Sequence, residues 1–171
     1  MTASQKRIGD ELPRVFSVSV IMQRLPSANR WEPYQWEAIG VLATGEESNS
    51  DQPELIFEQQ QTRRYLYSGF NLRLHEDECE SYYHNLLSPT PCCYVVTDLM
   101  EDATPIPVVV SFSFDEAHAY LEGDESVYAV AVPAEIYQWA EAFVLAHYVP
   151  TKRSKRERTD WRNAQGRPHG S

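Results

Sequence analysis

The chain has 171 residues, 42% apolar and 12% aromatic, which suits one domain with a substantial core plus tails. It carries a net charge of −10, yet residues 151–171 hold +5 of their own, so residues 1–150 carry −15 and would repel phosphates. No run of roughly 18 apolar residues is present. The opening "MTASQKRIGDELPRV" has no apolar centre, so neither a membrane span nor a secretory signal is expected. Three cysteines, Cys79, Cys92 and Cys93, two of them adjacent, do not resemble a disulfide framework and point to a reducing, cytoplasmic setting.

Residues 1–12 read as a flexible start. "RVFSVSVIMQR" alternates from Val15 onward, with Phe16, Val18 and Val20 on one face, and reads as a strand. "LPSANRWEP" is loop, punctuated by Pro26, Asn29 and Pro33. "YQWEAIGVLA" reads as a second strand, with Trp36, Ala38 and Gly40 alternating against Glu37, Ile39 and Val41. "LIFEQQQ" and "RRYLYSGFNLRLH" read as two more strands in a hairpin around Thr62. The second does not keep one phase, which predicts a bulge near Gly69.

The period then changes. "EDECESYYHNLLS" opens with acids, as a helix N-terminus prefers, and Cys79, Tyr82, Tyr83 and Leu86 follow helical spacing. "CCYVVTDLM", "IPVVVSFS" and "SVYAVAV" read as strands, and "FDEAHAYLEG" as a short helix. "PAEIYQWAEAFVLAHYV" is the longest helix, with Pro133 in its first turn and an inner stripe of Ile136, Trp139, Ala140, Phe143, Val144 and His147. The expected architecture for residues 13–150 is a single α+β domain. It has a largely antiparallel, twisted sheet with about three helices packed on one face. The polar basic tail, residues 151–171, has too little apolar surface to order itself. Alternatively it is an arm for an acidic partner or nucleic acid, with Trp161 as an anchor.

Chemistry concentrates in "HEDECESYYH". Glu80 and His84 share a helix face at i,i+4, Cys79 lies one residue off that line, and His75 could join from the preceding strand. Cysteine, histidine and carboxylate are all ligands for zinc or a similar metal. The spacing matches no zinc motif, however. Cys79 also falls in the apolar stripe, and the acidic run suits a solvated helix start. Cys92 and Cys93 open a strand and point to opposite faces, one inward and one toward solvent. A nucleophilic cysteine would need His84 or His118 brought to it by the fold. His118 lies near Asp115 and Glu122, and His147 ends the last helix, where a cation suits the dipole. Residues 1–150 hold one lysine, Lys6, and no glycine-rich phosphate loop. No catalytic residue and no cofactor is assigned.

Trp36 lies inside a strand and is expected in the core. Trp31, beside Arg30 and close to Tyr34, either forms a partner-binding patch, since Trp and Arg favour hot spots, or folds back over the sheet edge.

"VSVIMQR" followed by a loop and the two tryptophans resembles the bacterial domain of unknown function 3305 family. So do "LRLHEDECESYYHNLLSPTPCCYVV", and "DEAHAYLEG" ahead of "WAEAFVLAHYV". The resemblance runs over roughly residues 13–150, leaving the tail outside. It implies a genomic setting near formate dehydrogenases and other molybdenum enzymes, and it defines no catalytic residues. The resulting expectation is a non-enzymatic accessory or assembly protein of a molybdenum-dependent formate dehydrogenase. Its partner would be a subunit or maturation factor, bound through Arg30, Trp31 and Tyr34, with the tail and Trp161 as a second attachment. The alternative is a protein that handles a small molecule or the molybdenum cofactor, an enzyme of molybdopterin metabolism among the options, through a pocket gathering His75, His84, His118 and cysteines.

Overall fold

The computed structural model describes residues 13–44, 52–121, 123 and 125–149. Seven strands and three helices follow in order: β1 (Val15–Pro26), β2 (Tyr34–Ala43), β3 (Glu54–Gln59), β4 (Thr62–Arg73), α1 (Cys79–Leu87), β5 (Cys92–Leu99), β6 (Pro105–Ser111), α2 (Phe114–Ala119), β7 (Ser126–Ala131) and α3 (Ala134–His147). A 3-10 turn, Glu76–Glu78, leads into α1.

The α+β class and the antiparallel pairing agree with the sequence. The strands divide between two sheets, however, where periodicity suggested one: β2-β1-β4-β3 and β6-β5-β7. Periodicity reports which face a strand buries, and says nothing of which strand it pairs with.

Bulges set the faces. In β4, Ser68 and Gly69 together oppose Ser19, and Gly69 takes φ 90°, a conformation that only glycine adopts without strain. This is the phase slip read from the sequence. A second bulge at Ile39 in β2 lets Val41 share the buried face with Ala38. Plain alternation had put those two residues on opposite faces. The β3–β4 hairpin turns at Gln60, whose φ is 56°.

One hydrophobic cluster joins both sheets with α1 and α3. It contains Val18, Val20 and Met22 of β1, Leu72 of β4, Cys93 and Val95 of β5, Tyr82 of α1, and Ile136, Trp139 and Phe143 of α3. The expected α3 stripe is buried from Ile136 to Val144, and His147 stays partly exposed beside Glu76 at 3.4 Å. Pro133 caps α3 just outside its first turn. Trp139 fastens α3 to the start of β1, since its Nε1 donates to Pro13 O (2.6 Å) and its ring packs on Phe16 (5.2 Å).

Buried Asn85 is a polar clasp that the sequence did not reveal. Its Nδ2 donates to Cys92 O (2.7 Å) and Phe112 O (3.1 Å), and its Oδ1 accepts from Cys92 N (3.1 Å). Ser113 caps α2 by accepting from Glu116 N (3.1 Å) and lies within hydrogen-bond reach of Glu78 and Ser81, both at 2.9 Å. These bonds tie α1 to β5 and to the start of α2.

Candidate functional site

The two sheets differ in length. β1 and β4 have 12 residues each, whereas β5 has 8 and β7 has 6. A difference of four residues is roughly 13 Å of strand. α3 is anchored at the Val15 end of β1, so the opposite end of the first sheet is its freer end, and there the Tyr128 hydroxyl of β7 still reaches Trp36 O (3.4 Å). There the inner face of the first sheet runs on past Met22.

Register identifies what that overhang carries, because directly opposed residues share a face. Beyond Met22 the next inward position of β1 is Arg24, opposed by Trp36 of β2 and Arg63 of β4. Beside them stand Tyr65 and Leu55, then Tyr34 opposite Pro26. Trp36 packs against Tyr65 (5.8 Å) and the Arg24 guanidinium lies over the Tyr34 ring (3.9 Å). Arg63 pairs with Glu58 (3.2 Å), and its hydrogen bond to Tyr65 together with the Glu58 charge holds it above the ordinary arginine value. Arg64, one residue on, points to the other face. It donates to Gln23 Oε1 (2.8 Å) and covers the Phe57 ring (4.6 Å).

The β1–β2 loop at the end of this surface is held by local turns. Ser27 N donates to Pro33 O (3.0 Å), Asn29 N to Ser27 Oγ (3.1 Å), and Trp31 N to Asn29 Oδ1 (3.1 Å). Trp31 is 88% exposed, so it is not folded back over the sheet edge. Tyr34 is 39% and Leu55 46% exposed, Arg30 is exposed, and Trp36 is half-buried against the core rather than inside it. Trp161 lies outside the described residues.

The histidine–cysteine cluster is not drawn together as metal ligands. Among the described residues no three His, Cys, Asp or Glu side chains are placed to hold a metal ion. Helix α1 separates them: Cys79 turns into the core, where burial raises its thiol, while Glu80 and His84 form an exposed pair at 3.7 Å. His75 lines a cleft of about 330 Å³ with Arg73, Glu116 and Tyr120, and His84 lines different clefts with Asp115 and Ser81. His118 stacks on Phe114 at 3.8 Å. Cys93 is fully buried, with its thiol pushed up to about 12, and Cys92 is half-exposed. In the His75 cleft, burial raises the Glu116 carboxyl, and one of its oxygens is buried without a hydrogen bond.

The family model described as protein of unknown function (DUF3305) matches residues 17–158. The chain belongs to that family. The DUF3305 match reaches eight residues past position 150, so the family's shared region includes the first part of the basic segment, contrary to the boundary expected from the sequence. No curated protein and no solved structure matches this DUF3305 chain. No helix among the described residues is long and apolar enough to cross a membrane.

Sequence reasoning named Trp31, Tyr34 and Arg30 as candidates but not Arg24, Arg63 or Tyr65, which share or adjoin their surface. The signal that locates them is pairing register, which places residues 24, 36 and 63 in one row.

Proposed function

We propose that this chain is a non-enzymatic accessory or assembly protein that acts by protein–protein interaction. The observation that carries this reading is the arginine–aromatic overhang, which offers Tyr34, Trp36, Tyr65, Arg24 and Arg63 on one face, with Trp31 exposed in the adjoining loop. Trp, Tyr and Arg are the residues that dominate binding hot spots. The partner implied by the family resemblance is a subunit or maturation factor of a molybdenum-dependent formate dehydrogenase, met in the cytoplasm. The test is co-purification from the native host, with the intact chain beside Trp31→Ala/Tyr34→Ala. Retention of a dehydrogenase subunit or maturation factor by the intact chain, and its loss in the variant, supports the reading. Equal retention by both removes the overhang from it.

The Glu116 cleft favours a second reading, a small-molecule or molybdenum-cofactor-handling protein. A half-buried carboxyl with an unpartnered oxygen in a cleft of about 330 Å³ suits a small ligand better than a flat interface does. Calorimetric titration of the chain with molybdopterin or molybdate tests it, and heat that persists in Glu116→Ala counts against this cleft.

A further inference from the structure

We infer that the overhang recognises a carboxylate on an acidic segment of the partner protein, with Arg24 as the receiving group. This rests on the interaction reading above and names the chemistry of its partner.

Arg24 and Arg63 are directly opposed on neighbouring strands and share a face. Like charges so placed oppose each other. Glu58 offsets Arg63. Arg24 has no such counterpart: among the described residues its guanidinium makes no hydrogen bond or ion pair, and its Nε is buried without an acceptor. Its contact among the described residues is the Tyr34 ring, 3.9 Å from the guanidinium carbon, which restrains the side chain and leaves hydrogen-bonding capacity unused. A planar guanidinium held in this way matches a carboxylate bidentately, and holding it in advance reduces the entropy lost on binding. Arg30 adds a third positive charge in the adjoining loop, which also carries Glu32.

The surroundings narrow the occupant. The described clefts of 300–400 Å³ are lined by residues of β4, α1, β5, β6, α2 and adjoining turns, and none of these includes Arg24, Trp31 or Tyr34. With Trp31, Tyr34 and Leu55 all exposed, the overhang suits a macromolecular surface. The chain's own basic tail has the wrong sign for this site. An acidic peptide with an apolar neighbour satisfies both the arginines and the exposed Trp31.

The test is an array of immobilised 12-residue peptides of mixed sequence, probed with the labelled full chain at about 0.15 M salt. Each acidic peptide is paired with its Asn/Gln twin and with a twin carrying phosphoserine. Acidic peptides with an aromatic or aliphatic neighbour are expected to bind at least tenfold more strongly than their amide twins. Arg24→Gln should weaken the acidic peptides by about 30-fold, the scale of a hot-spot arginine, and abolish the preference over the twins. Arg24→Lys keeps the charge but not the fork, and should lose about tenfold. Circular dichroism of both variants confirms that they fold. Equal binding of acid and amide twins, still lost in Trp31→Ala, overturns the carboxylate inference and leaves the docking surface standing. Preference for the phosphoserine twin overturns it in favour of a phosphate. An array with no binder sensitive to Trp31→Ala overturns both.

Discussion

At the scale of single residues, exposure separates side chains that hold the fold from those available to a partner. Trp31 touches nothing that its removal would leave empty, so Trp31→Ala should change unfolding free energy by no more than about 0.5 kcal/mol. Trp36, packed on Tyr65 and the core margin, should cost roughly 2 kcal/mol on truncation, less than a fully buried tryptophan. Urea denaturation of the two variants checks the pair, and equal losses would refute the division. Cys93 gives a pH prediction with a definite sign. Its folded thiol is raised from 9.0 to about 12 by burial, so between those values the unfolded chain loses a proton that the folded chain keeps. Its contribution to stability is complete below pH 9 and declines as pH rises toward 12. Unfolding free energy should therefore fall from pH 8 to pH 10.5, and fall less steeply in Cys93→Ala. Parallel slopes in the two proteins would contradict the assignment.

At the scale of elements, the polar clasps fix how α1 and α2 sit on β5 and β6. Asn85→Leu removes three hydrogen bonds and leaves two carbonyls and an N–H without their partner, so a loss of about 3 kcal/mol or more is expected. Ser113→Ala removes the α2 cap and should cost about 1–2 kcal/mol. Denaturant midpoints of these variants rank the two clasps, and a smaller loss for Asn85→Leu than for Ser113→Ala would reverse the ranking. The same residues show why parts of the structure were hidden in the sequence. Strands and helices were legible because each buries an apolar face with its own period, and the Gly69 bulge showed itself as a broken phase. Asn85 was not legible, since a polar residue one position from Leu86 looks like the edge of a stripe. The division into two sheets and the row of Arg24, Trp36 and Arg63 depend on pairing between distant segments. No local period records that pairing. Trp31 was legible as a loop aromatic, but the face it adjoins was not.

At the scale of the whole molecule, the question is whether two sheets make two units. They share one cluster: β1, β2 and β4 contribute Val20, Ala38 and Leu72, and β5, β6 and β7 contribute Val95, Val110 and Val130. α3 packs into that cluster and is hydrogen-bonded to the chain just before β1. Neither sheet therefore has a buried face that survives loss of the other. The described part of the chain should unfold in a single cooperative transition, as domains of this size usually do. Among the described tryptophans, Trp139 in the shared core and Trp36 at its margin change environment, and with it fluorescence, most on unfolding, whereas far-ultraviolet circular dichroism reports on both sheets and the helices. The two probes should give coincident urea transitions with one midpoint. Removing the Trp139 ring in Trp139→Phe, which deletes the bond to Pro13, should move both curves together. A fluorescence transition that precedes the loss of circular dichroism would mean that the overhanging sheet opens independently of the core. In that case the arginine–aromatic face would belong to a locally unstable element, not to the rigid platform that a preorganised Arg24 requires.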